Sequence, residues 1–419
     1  MNTQKNTFLQ EFFKEMKRSV FVALGFVVLT FPVMVIKVNT IENTIIWRWK
    51  NLIFIGLGAF VLTMVWTYLM KRKQMGGRMR PETETASLRK PFSLDVELLK
   101  KPKIAVPTLG VLGVFIVIFP FIFSMYQTNI LITALMYVML GLGLNIVVGL
   151  GGLLNLGYIA FYAVGAYTYA LLNHHYHLSF WIALPLGGIF AAIFGILLGI
   201  PVLRLRGDYL AIVTLAFGEI IRIVLENWNN FSFGPSGIAG IPRPGFFGLK
   251  MNLQQATIYI YFIMIALTVL TVFIVSRLQH SRIGRAWVAM REDETASQAM
   301  GINTTKAKLT AFSLGAMWAG LAGVGFAAKT TFINPASFTV WESIVVLCIV
   351  VLGGMGSILG VMVGALILIL LPEYLRAFSE YRMLIFGLIL VIMMVFRQGG
   401  IINAKRKVYT FEGAKKNEK

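Results

Sequence analysis

The chain has 419 residues, 57% hydrophobic and only 13% charged, which leaves no soluble domain of useful size. Its +20 formal charge would point to nucleic acid in a soluble protein, but the 38 Lys and Arg crowd into short connections and a tail. No loop offers a folded basic face with stacking aromatics, so nucleic-acid binding is not expected.

Apolar runs of ~20 residues recur, each long enough to cross a bilayer core of about 30 Å at 1.5 Å per residue. The expected fold is therefore all-α, a polytopic helical membrane protein in contact with lipid. Lys5, Lys14, Lys17 and Arg18 precede an apolar run from Val20 to Ile36. That run is too long for a typical signal core, and no small-residue cleavage site follows before Lys37, so it reads as a retained first helix with its amino end in the cytoplasm. Further spans are expected at 52–69, 104–123, 130–148, 158–172, 180–200, 209–226, 258–276, 309–328, 340–352, 358–371 and 384–396, twelve in all. The runs are continuous rather than alternating, which rules out a strand barrel.

The linker from Lys71 to Lys103 mixes charge with Gly76, Gly77, Pro81, Pro91 and Pro102 and divides a two-helix extension (1–103) from a ten-helix core (104–402). A basic tail follows at 403–419. With the amino end inside, 29 Lys and Arg fall in connections on the cytoplasmic side and eight on the other, which places both ends in the cytoplasm.

Gly187, Ala191, Gly195 and Gly199 recur every fourth residue, as do Gly356, Gly360 and Gly364, which suits close helix packing. The clusters GLGGLLNLG (Gly149–Gly157) and GGMGSILG (Gly353–Gly360) interrupt apolar runs instead. Each is either a tight turn at the membrane face or an interrupted helix beside a pathway.

No Walker A pattern occurs, and the glycine clusters follow no strand, so neither nucleotide fingerprint is present. His174, His175 and His177 have no carboxylate or cysteine nearby and read as a solvated loop, with no metal expected. The lone Cys348 lies in an apolar run and reads as a small hydrophobe.

Glu219, Arg222 and Glu226 share one helical face inside a span, with Glu219 ~15 Å from its start. Two readings stay open, an ion pair packed against another helix or subunit and a polar path for a zwitterionic substrate. The other spans are almost free of charge, whereas an ion-driven carrier would be expected to hold more carboxylates. This favours energy supplied by a partner ATPase over a stand-alone secondary carrier. A membrane enzyme would need a clustered catalytic set, and none of His280, Cys348 and the scattered acids forms one. Arg282 to Gly301 reads as an amphipathic helix with Ile283, Trp287, Met290, Ala296 and Met300 near one side, ended by Gly301 and followed by a cap at Asn303 or Thr304. It would dock a soluble partner or lie on the lipid surface.

The stretches LGLNIVVGLGGLLNLGY (142–158), PVLRLRGDYLAIVTLAFGEIIRI (201–223), GPSGIAGIP (234–242), GRAWVAMREDE (284–294) and VLGGMGS (351–357) resemble the LivM-type permease subunits of bacterial branched-chain amino acid ABC importers, and the likeness runs over nearly the whole chain. Trp47–Trp49 resembles part of the amino-terminal extension of that family. The resemblance implies an inner-membrane permease, not an enzyme, that forms half of a translocation pathway for leucine, isoleucine and valine. It implies a LivH-type second permease, LivG- and LivF-type ATPases that carry ATP and magnesium, and a periplasmic binding protein that holds much of the specificity. No cofactor is expected on this chain. The resemblance also implies an ATPase-coupling loop over Gly284, Arg285, Arg291, Glu292, Ala296, Ser297 and Gly301, although Thr295 stands at the acidic position of the usual pattern. Gly234, Pro235, Gly237, Gly240 and Pro242 are the candidate binding-protein contacts, and Asn145, Asn155 and Glu219 the candidate pathway residues.

Overall fold

A computed structural model describes residues 36–39, 44–47, 116–203, 205, 207–245, 252–374, 384, 387, 388, 391 and 399–402. The chain divides into two compact units, Met1–Pro91 and Phe92–Lys419. In the first, strands β1 (Ile36–Asn39) and β2 (Thr44–Trp47) pair antiparallel, with Ile36 opposite Trp47. Ile36 thus opens a strand rather than closing the first helix. The expected helices at 20–36 and 52–69 otherwise lie outside the described residues, as does nearly all of the span at 384–396.

The second unit is a helical bundle. Among the described residues its main helices are α1 (Met125–Leu144), α2 (Ile159–Tyr176), α3 (Phe180–Val202), α4 (Asp208–Asn227), α5 (Leu253–Gln279), α6 (Arg282–Glu292), α7 (Glu294–Ala299), α8 (Thr304–Thr330), α9 (Val340–Gly353) and α10 (Ile358–Tyr374). A π-helical turn, Asn145–Leu150, continues α1. Among the described residues, five helical segments are long and apolar enough to cross a membrane. α8 runs through the centre, with Ala311, Phe312, Ala316, Ala319 and Ala322 fully buried. α3 lies along it because its small-residue stripe lets the two backbones meet: a Cβ on Gly195 would sit 2.7 Å from the Phe312 carbonyl oxygen, and one on Gly199 2.7 Å from Leu309.

Connections assigned to the same side of the membrane meet in space. At one end, rich in Lys and Arg, Gln279 Nε2 donates to the Gly356 carbonyl (3.2 Å) and Ile401 N to that of Leu352 (2.8 Å). At the far end, β3 (Ile238–Ala239) pairs with β4 (Phe332–Ile333), and the Tyr169 hydroxyl donates to the Pro242 carbonyl (2.7 Å).

Candidate functional site

The two glycine clusters take different forms. Gly353–Gly360 makes a tight turn at the basic end, with Gly354 and Gly356 at φ of 113° and 84°, values that suit glycine alone. Gly149–Gly157 instead joins α1 to α2 through a segment that re-enters the bundle. After the π turn the backbone runs without regular hydrogen bonding from Gly151 to Gly157, and Leu153, Asn155 and Gly157 are buried. Gly157 rests against Thr214 and Gly218 of α4, 9 to 15 Å from the start of that helix at about 1.5 Å per residue. α2 therefore begins well inside the bundle. So does α9, whose Ser343 lies ~15 Å from its end at Gly353, and the Ile159 N–H donates to Ser343 Oγ (3.0 Å). Irregular backbone at this depth survives only where protein groups replace water, and here side chains do so.

Asn145 and Asn155 serve this break. Asn145 Oδ1 accepts from Gly356 N (2.8 Å), tying one glycine cluster to the other, and Asn155 Oδ1 accepts from Gly157 N (3.1 Å). Both side chains are buried, and their amide nitrogens have no partner among the described residues. Thr214 Oγ1 accepts from Leu156 N (3.1 Å), and the Tyr158 hydroxyl donates to the Gly315 carbonyl (2.8 Å).

The loop from Arg282 to Gly301 is two helices rather than one. Asp293 takes an extended conformation and caps α7, accepting from Ala296 N (2.9 Å). Gly301, at φ 83°, ends α7 as expected, and Asn303 rather than Thr304 caps α8 by accepting from Lys306 N (2.9 Å). The apolar stripe is spent internally. Gly284, Trp287 and Met290 are buried, and Trp287 Nε1 donates to the Ala307 carbonyl (2.8 Å), so α6 packs on α8 instead of lying on lipid. Ile283 and Met300 face outward, Met300 at 84% exposure, and Ala296 is exposed while Ser297 is buried. Arg285 bonds the His280 carbonyl (3.0 Å), and Glu292 lies on the exposed side of α6.

Two further contacts fasten this loop pair to the bundle. The Arg291 guanidinium donates to the Gly149 carbonyl at the end of the π turn, and its stem covers Gly152, which has a φ of 69° and where an added Cβ would come 2.6 Å from Arg291 Cγ. Lys308, 3% exposed, pairs with Glu294 at 2.7 Å. Lys308→Met should lower stability by roughly 2 kcal/mol, below the cost for a fully buried pair because Glu294 keeps some water. The midpoint of thermal unfolding in detergent measures this; an unchanged midpoint would show the pair to be dispensable.

Arg222 bonds Glu219 (2.9 Å) and Glu226 (2.7 Å) along its own helix, and the three side chains are 26–41% exposed. α4 buries Leu210, Ala211, Thr214, Gly218 and Leu225, which leaves the trio on its flank beside outward-facing Ile212, Ile220 and Ile223. The trio does not meet the buried asparagines.

At the far end the 234–242 loop is anchored by buried Ile238 and Ile241. Gly234, Gly237 and Gly240 have positive φ, and Pro235, Gly240 and Pro242 are exposed. His174 stacks edge-on against Phe233 (4.9 Å) in the same region.

Sequence reasoning passed over two charges. Glu342 lies inside the expected span at 340–352 and accepts from the Tyr137 hydroxyl, while Lys329 turns from the last turn of α8 to bond Thr133. Glu342 was visible as an acid within an apolar run; Lys329 was taken as a connection residue.

Helices that start inside the bundle, with a loop pair wired to the break between them, define a membrane protein of the transport class. The family model for the branched-chain amino acid transport system permease component matches residues 126–394, and the chain belongs to that family. The chain is 44% identical to the high-affinity branched-chain amino acid transport system permease protein LivM of Escherichia coli (strain K12), over 79% of this chain and 85% of that one. It is 28% identical to the corresponding LivH protein of Salmonella typhimurium, over 63% and 90%, and 31% identical to the ribose import permease RbsC of Escherichia coli, over 28% and 39%. No solved structure matches.

Proposed function

We propose that the chain is the permease half of an ATP-driven importer of leucine, isoleucine and valine in the bacterial inner membrane, with both termini in the cytoplasm. The observation that carries this reading is the 44% identity with a LivM permease over most of both chains. The likeness to LivH proteins supports a related second permease as partner. Two cytoplasmic ATPases bind ATP and magnesium, and a periplasmic binding protein delivers the amino acid. This chain performs no covalent chemistry.

In this reading α7 is the docking element, and it presents Ala296 and Met300 to the ATPase. Arg291 and the Lys308–Glu294 pair carry its displacement into the π turn and into α8, and the broken junction around Asn145 and Asn155 yields because its backbone is held by single hydrogen bonds. The exposed parts of the 234–242 loop receive the binding protein. Glu219 and its partners face the second permease or the path between the two.

Purification of the tagged chain in mild detergent, followed by leucine uptake in vesicles, tests the reading. Co-purified ATPases and a second permease, with uptake that requires ATP, are expected. Uptake by the isolated chain under an ion gradient without nucleotide would favour a secondary carrier and overturn it. Glu219→Gln should lower uptake severalfold, and normal uptake with normal assembly would remove Glu219 from the pathway.

A further inference from the structure

Lys329 and Glu342 are opposite charges set in the bundle, and neither makes an ion pair among the described residues. Each is held by a hydroxyl of the same helix, Lys329 by Thr133 and Glu342 by Tyr137, four residues apart and so on one face of α1, about 6 Å along its axis. All four side chains are half-buried, so they form a polar stripe on the surface of this subunit. Tyr137 stands ~20 Å from the end of the π turn, near the middle of the bundle.

A cation closing α8 and an acid opening α9 suit the helix dipoles, but that does not explain why both turn onto one face of α1. Unpaired charges facing lipid at this depth are expensive, so the stripe faces a path or a water-lined seam. Beside it lies an aromatic box. Phe338, fully buried and four residues before Glu342, packs against Tyr162 (5.6 Å) and Phe326 (5.8 Å).

We propose that this stripe is a transient binding site for a zwitterionic α-amino acid, with Glu342 and Tyr137 receiving the ammonium, Lys329 and Thr133 the carboxylate, and half-buried Phe326, at the edge of these rings, an apolar side chain. The proposal deepens the importer reading and rests on it. It puts part of the selectivity in the membrane: a substrate lacking either charge leaves one protein charge bare.

The test uses the assembled importer, purified without binding protein, and tritiated leucine, in the nucleotide-free and nucleotide-trapped states. Saturable binding is expected in at least one state. Valine should compete, whereas leucinamide, which lacks the carboxylate, and 4-methylpentanoate, which lacks the ammonium, should compete at least tenfold less well. E342Q and K329M should weaken binding at least tenfold, with E342D and K329R keeping most of it. Should either charge variant fail to assemble, T133V and Y137F, which remove only hydroxyls, should still weaken binding severalfold. Wild-type binding in these variants, equal competition by leucinamide, or no saturable binding by a complex that imports leucine would overturn the site. A wild-type complex that imports no branched-chain amino acid would instead strike the importer reading.

Discussion

Arg291→Ala should cut leucine uptake by the assembled importer at least tenfold while ATP hydrolysis continues. Arg291 joins the loop pair to the break between α1 and α2, through a charge-assisted bond to the Gly149 carbonyl and through its stem over Gly152. Such bonds contribute about 1.5–3 kcal/mol, enough to change a coupling equilibrium by one to two powers of ten. Removing the side chain frees the π turn from α6 without disturbing Trp287, which anchors that helix independently on Ala307. Hydrolysis should therefore proceed but no longer drive the junction. Arg291→Lys should recover part of the uptake, because its stem covers Gly152 as well and an ammonium can reach the carbonyl, though without the fixed planar fork of a guanidinium. Uptake and hydrolysis measured together in proteoliposomes decide the matter, and unchanged uptake in the alanine variant would rule out the strut.

Gly157→Ala should have the largest effect on stability, a loss of about 3 kcal/mol or more. A Cβ at Gly157 would fall inside the radius of the Thr214 carbonyl oxygen, a backbone atom that cannot move without shifting α4, while one at Gly218 would come within 2.9 Å of the Gly157 Cα. The glycine is required because an extended segment crosses a helix at backbone contact. Gly240→Ala offers the contrast. That residue also carries a positive φ, but nothing lies within 4 Å of the added carbon, so only the conformational cost of about 1–2 kcal/mol applies. Thermal unfolding of the two variants in detergent should rank them in that order, and the reverse ranking would mean that the 151–157 segment packs elsewhere.

Much of the fold was legible because bilayer thickness imposes a length on apolar runs and small residues must line up where helices touch. The limits of α3 were placed within two residues, and the close approach of its Gly187–Gly199 stripe to another helix was readable from spacing alone. Gly301 was readable as a helix end, and the following cap was narrowed to Asn303 or Thr304, because capping is local chemistry. The identity of the helix that α3 meets was not, since any apolar helix could have received it.

The chain by itself determined a polytopic helical protein of the branched-chain permease family, with a loop between Arg282 and Gly301, because hydropathy, spacing and motif are properties of adjacent residues. Only the tertiary structure decided that one glycine cluster re-enters the bundle between two helices and the other turns a corner, that the apolar stripe of α6 is consumed by α8, and that Lys329 and Glu342 converge on one face of α1. These outcomes depend on partners up to 211 residues away. A carbonyl, a hydroxyl or a backbone glycine can satisfy such a contact equally well, so no local pattern announces which will.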